Sequence, residues 1–122
     1  MEYLEELERL RQPTPADDFV RLSRRLSTHL TALEEQQFEH ESLDIDLARL
    51  VTDRLTRLAG EAAELTPEQR GWLRGAIDYF LLTTDIENDV LSPEGLVDDA
   101  RVLNHALERI GRTDLLVDVS GR

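Results

Sequence analysis

Apolar residues recur at three- and four-residue intervals along almost the whole chain, with no sustained alternation of period two, which predicts helices and no sheet. A first helix is expected over residues 2–11, with Tyr3, Leu7 and Leu10 on one face. Gln12-Pro13-Thr14-Pro15 stops it, because proline lacks an amide and disfavours helix in the residue before it. A second helix is expected from Pro15, with Thr14 as N-cap and Asp17 and Asp18 complementing the helix dipole. Its apolar stripe is Phe19, Leu22, Leu26, Leu30 and Leu33, and it fades after Phe38.

Ser42 is the expected cap of a third helix, whose buried face reads Leu43, Leu47, Leu50, Val51, Leu55, Leu58, Ala62 and Leu65. Thr66-Pro67-Glu68-Gln69 combines a capping box with proline at the first helical position, a strong start for a fourth helix. Trp72, Leu73, Ala76, Ile77, Phe80 and Leu81 cover more than one stripe there, so this helix should be the most buried. Gly71 and Gly75, four apart, allow a close helix approach. Residues 83–95 break the pattern; a fifth helix then carries Leu96, Ala100, Leu103, Leu107 and Ile110, with Gly111 placed to end it. Leu115-Leu116-Val117 could cap the bundle.

The expected fold class is all-α: a compact helical bundle of four main helices plus a short N-terminal amphipathic helix. Residues 1–122 read as one domain: the N-terminal helix (1–12), a two-helix segment (14–66), a helix, acidic loop and helix (67–111), and a tail (112–122).

Charge narrows the function classes. The chain has 26 acidic residues against 14 basic ones, a net charge of −12, and every base is arginine. Such a chain repels phosphate and anionic lipid on average, so neither nucleic acid nor a membrane surface is an expected partner. The all-arginine usage fits a GC-rich genome. No cysteine is present, which excludes disulfides, thiolate metal sites and cysteine nucleophiles. The acidic start MEYLEELERLRQ lacks the basic opening and apolar core of a signal peptide, and no stretch approaches the roughly 20 apolar residues of a membrane span. The expectation is a soluble cytoplasmic protein.

Candidate chemistry gathers between Gly75 and Ala100, where seven acids (Asp78, Asp85, Glu87, Asp89, Glu94, Asp98, Asp99) occur with no arginine. Such a run costs stability unless helix N-termini, arginines from elsewhere, a cation or a basic partner offset it. Tyr79, Asp85, Asp89, Gly95, Asp98 and Asp99 are spaced as in the YkvA-like family, a bacterial domain of unknown function, which this chain resembles from Trp72 to Ile110. Ala100, Val102 and Leu103 continue the match; Asn88 and Ser92 stand where the family usually has proline. The resemblance implies a compact helical domain and no established activity.

In the residues themselves, Gly95 permits a backbone angle closed to other residues, Asp85 and Asp89 can accept amides in a turn, and Tyr79 can donate to a buried carboxylate. Asp98 and Asp99 are expected in the first turn of the fifth helix. The plain expectation is that these residues organise the turn; the sharper one is a divalent cation on Asp85, Asp89, Asp98 and Asp99, since hard cations take oxygen ligands. No other cofactor is expected. His29, His40 and His105 are scattered, and His105 reads as an edge residue. Arg21, Arg24 and Arg25 form the one compact basic cluster: a solvated face, or an ion-pairing surface for Asp85 to Asp99. No nucleophile elbow, His-Glu-x-x-His or phosphate loop occurs, so no catalytic residue is assigned and the chain reads as a non-enzyme. The expected function is an acidic helical accessory or adaptor protein, using the acidic segment and a detachable N-terminal helix as surfaces for a protein partner, one with a basic face in particular. Homo-oligomerisation stays open.

Overall fold

The computed structural model describes residues 2–36, 44–84 and 93–120, and the side chains of all of these except 2, 3 and 93–95. It is an all-α bundle: α1 (Glu2–Leu10), α2 (Asp18–Gln36), α3 (Ile45–Gly60), α4 (Pro67–Thr83) and α5 (Pro93–Ile110), with short 3-10 turns at Ala62–Glu64 and Thr113–Leu115. Among the described residues there is no strand.

One apolar core runs through all five helices. α4 lies at its centre, burying Gly71, Trp72, Leu73, Gly75, Ala76, Ile77, Tyr79 and Phe80 on more than one side, as its sequence predicts. Its start is the expected capping box: the Thr66 hydroxyl accepts from the Gln69 amide, and the Gln69 side chain accepts from the Thr66 amide. α2 packs on α3 through Phe19, Leu22, Leu26 and Leu33. α5 packs on α4 and stops at Gly111, whose φ of 89° is the left-handed angle that glycine supplies at a helix end. The amides of Gly111 and Arg112 both reach the Leu107 carbonyl. The tail then returns to the bundle. Leu115 and Val117 are buried, and the Asn104 side chain bonds both the amide and the carbonyl of Val117 at 2.8 Å.

Several local expectations are corrected. α1 is not detachable: Leu7 is fully buried, and α1 closes on α4 at Gly75, where an added Cβ would stand 3.0 Å from the Leu7 side chain and 3.2 Å from its carbonyl. α2 begins at Asp18, not Pro15. The amides of Asp18, Phe19 and Val20 bond the carbonyls of Pro15, Ala16 and Asp17, a tight lead-in turn. Thr14 is not a cap; its hydroxyl donates to the Gln12 carbonyl and its own carbonyl accepts from Arg70. The cap of α3 is Asp44, which accepts from the Leu47 amide at 3.1 Å. The expected cap Ser42, with Leu43, lies outside the described residues. Leu50, assigned to the buried face of α3, is 37% exposed at its edge. α5 opens at Pro93, a position where the missing amide is harmless, so Gly95 lies inside its first turn rather than in a loop.

Candidate functional site

Of the six residues singled out in the acidic segment, four are described. Asp85 and Asp89 lie outside the described residues. Tyr79 is buried in the core, and Gly95 is helical backbone of α5. Because α5 starts at Pro93, Asp98 and Asp99 fall in its second turn, beyond the reach of most of the N-terminal dipole benefit. They also part company. Asp98 is solvent-accessible and pairs with Arg101 at 3.3 Å, whereas Asp99 is 2% exposed.

Asp99 meets Thr83 from α4 through a hydrogen bond between its Oδ1 and the Thr83 hydroxyl, while Oδ2 is buried with no partner among the described residues. The Thr83 hydroxyl also lies 2.8 Å from the Tyr79 carbonyl. One hydroxyl proton cannot fully serve two acceptors. A neutral Asp99 resolves this: its O–H donates to Thr83, and Thr83 donates to Tyr79. The electrostatics agree. Burial pushes the Asp99 carboxyl well above the usual aspartate range, the Thr83 hydrogen bond pulls partly back, and the charge on Asp98 pushes further. Asp99 is thus a buried acid that seams α4 to α5. Asp78, counted in the acidic run, is neutralised from just outside it by Arg74 at 2.9 Å. Among the described residues, no three His, Asp or Glu side chains gather into a group able to hold a metal ion.

The histidines fall into structural settings. His105 stands edge-on to the Trp72 ring, with centroids 5.7 Å apart, and the Arg11 guanidinium lies 4.1 Å over the same ring, pinning the end of α1. His29 on α2 places Nε2 2.5 Å from the Thr84 hydroxyl, which itself donates to the Phe80 carbonyl. A carbonyl cannot donate, so Nε2 carries the proton in this bond. His40 lies outside the described residues.

The arginines divide unevenly. Arg9, Arg11, Arg49, Arg54, Arg74, Arg101 and Arg112 each pair with a carboxylate. Arg70 instead binds the carbonyls of Thr14, Ala62 and Leu65. Arg21, Arg24 and Arg25 are exposed on α2 and have no ion pair among the described residues. Of the expected ion-pairing surface for Asp85 to Asp99, Asp98 and Asp99 do not meet these arginines, while Asp85, Glu87 and Asp89 lie outside the described residues. These arginines line an open concavity of about 470 Å³ with Thr28, His29, Ala32 and Leu81. Arg24 also borders a second, more apolar hollow containing Val20, which is 59% exposed, and Ala59 and Ala63.

Sequence reasoning found Asp99 and the arginine cluster but missed Thr83 and Thr84. Their signal was a pair of threonines closing an apolar helix, where each hydroxyl can bond back to the carbonyl four residues earlier. No helix among the described residues is long and apolar enough to cross a membrane. No protein-family model matches the chain, and no curated protein or solved structure matches it either.

Proposed function

We propose that this chain is a non-enzymatic helical accessory protein that acts through protein–protein contact. One observation carries the reading: the outer face of α2 holds three exposed arginines without carboxylate partners among the described residues, in a chain of net charge −12 whose other arginines mostly pair. A cluster left unpaired among the described residues, amid surplus acid, is a part of the surface with charge still to satisfy. It adjoins an exposed valine, which adds apolar area to the same face. The partner chemistry suited to this face is acidic or mixed in charge; a basic partner would have to use the acid-rich remainder. Residues 72–110, which resemble a YkvA-like unit in the spacing of Tyr79, Asp85, Asp89, Gly95, Asp98 and Asp99, would form the scaffold. The test is co-purification at low and high salt of the wild type and of R21E/R24E/R25E. The reading expects complexes with the wild type that the variant loses; a wild type isolated without any partner or self-association at either salt overturns it.

A second reading, a divalent cation held by carboxylates of the acidic segment, is favoured by the unpartnered buried Oδ2 of Asp99. A cation there must displace a proton, so calcium, magnesium or manganese should raise the melting temperature over that in chelator, and more so at higher pH. Identical melting with every ion, in the wild type and in Asp99→Asn, removes this reading.

A further inference from the structure

Charge on α2 is divided along its length. Arg21 sits in the first turns, followed by Arg24 and Arg25, while Glu34 and Glu35 occupy the last turn, which carries no base. A helix N-terminus favours negative charge and a C-terminus positive charge; Asp18 in the first turn meets the first preference, whereas the last turn carries acid and no base. Glu34 is relieved by Arg49 of α3 at 2.7 Å. Arg21, Arg24, Arg25 and Glu35 are exposed and have no such relief among the described residues.

These residues share one stripe. Arg21, Arg25, Thr28, Ala32 and Glu35 follow one another at intervals of four, three, four and three, which keeps them on a single side of the helix, away from the buried stripe of Phe19, Leu22, Leu26 and Leu33. The middle of the stripe is small, with Thr28 and Ala32 letting a second helix approach. One end is basic and the other acidic. A pattern of that kind complements its own reverse: with Thr28 facing Thr28 across a twofold axis, Arg21 stands opposite Glu35 of the other copy, twice, and Arg24 opposite Ala32. The antiparallel arrangement also sets the acidic last turn of each helix beside the N-terminal pole of the other.

We propose that α2 is a self-association face, and that its occupant is the α2 of a second copy of this chain, packed antiparallel about Thr28. This rests on the reading of α2 as the interaction surface and names its partner. A single pair of 19-residue helices offers less than the roughly 800 Å² per partner of a standard interface. The dimer is therefore weak, and it forms on concentration. Two molecules of net charge −12 also repel, so it forms best where salt screens beyond about 8 Å, near 0.15 M.

The experiment is sedimentation equilibrium of the full chain over a concentration series at 0.15 M salt. The expected mass rises from 14.0 kDa toward twice that value. R21E and E35R should each weaken the dimer at least tenfold, since each replaces two attractions by two repulsions. The double variant R21E/E35R, and an equimolar mixture of the two single variants, should both recover it, because each restores opposite charges at both contacts. That recovery also shows that the single variants are folded. A wild type that stays monomeric at millimolar concentration, singles that associate like the wild type, or a double variant that fails to recover each overturn the proposal. A monomeric wild type that still retains another protein, lost in R21E/R24E/R25E, would overturn the self-association and leave the interaction reading standing. A monomer with no retained protein would remove both.

Discussion

Asp99 shows how one residue can be legible in position and illegible in state. Its spacing from Tyr79 and its place near the start of the fifth helix marked it, but burial and the hydroxyl of Thr83 come from tertiary packing that no local pattern announces. Because its folded pKa is raised above the ordinary 3.8, its stabilising contribution is complete below that pH and is lost as pH climbs through the raised value. Asp99→Asn keeps the shape and the donor to Thr83 without the titration. Its melting temperature relative to wild type should therefore climb from pH 4 to pH 8; a constant difference across that range would show that Asp99 is not a buried neutral acid. Two glycines make a second contrast. An alanine at Gly75 meets Leu7 and the backbone of Arg11 within 3.3 Å, so Gly75→Ala should destabilise by about 1–3 kcal/mol, the usual cost of overpacking. Gly60 has open space at the same test, and Gly60→Ala should stabilise by about 0.4–1 kcal/mol through the unfolded chain. Thermal melts of the two side by side distinguish them, and equal shifts would mean that α1 does not press on α4.

At the scale of elements, the helices were readable because one-sided burial imposes the period that the sequence displays. The bounds were less so. Thr14 has the chemistry of a cap, yet Arg70 and Gln12 occupy it, and α2 starts four residues later. Pro93 opens α5 where composition suggested loop, since a proline is equally at home in a turn and at a first helical position. The N-terminal helix is expected to be a detachable surface, but its sequence alone says nothing about what its apolar face meets. Leu7 is its anchor in the core and Arg11 on Trp72 is its clasp. Leu7→Ala should cost about 2–5 kcal/mol, as large-to-small core changes do, and should raise hydrogen exchange in α1 and at the facing turns of α4. Loss of protection in α1 alone, with no fall in the melting temperature, would contradict its place in the shared core.

At the scale of the whole molecule, net charge was plain from composition but its consequence was not. A surplus of acid suggested a basic partner; the fold adds that, among the described residues, seven arginines are engaged by carboxylates while the cluster on α2 is not. Arg21, Arg24 and Arg25 were visible as a cluster in the chain. That they stay unpaired among the described residues depends on where every other acid points, which only the folded molecule determines. The same holds for the opposed charges of α2, since their orientation matters only once Phe19, Leu22, Leu26 and Leu33 have committed the other side to the core. The measurement that tests this most directly is a dilution series of amide nitrogen–proton spectra of the intact chain. The account predicts that signals from residues 21–35 of α2 move with concentration while those of α1 and the buried α4 stay fixed. Signals of α2 that stay fixed at every concentration, or movement centred on another helix, would contradict it.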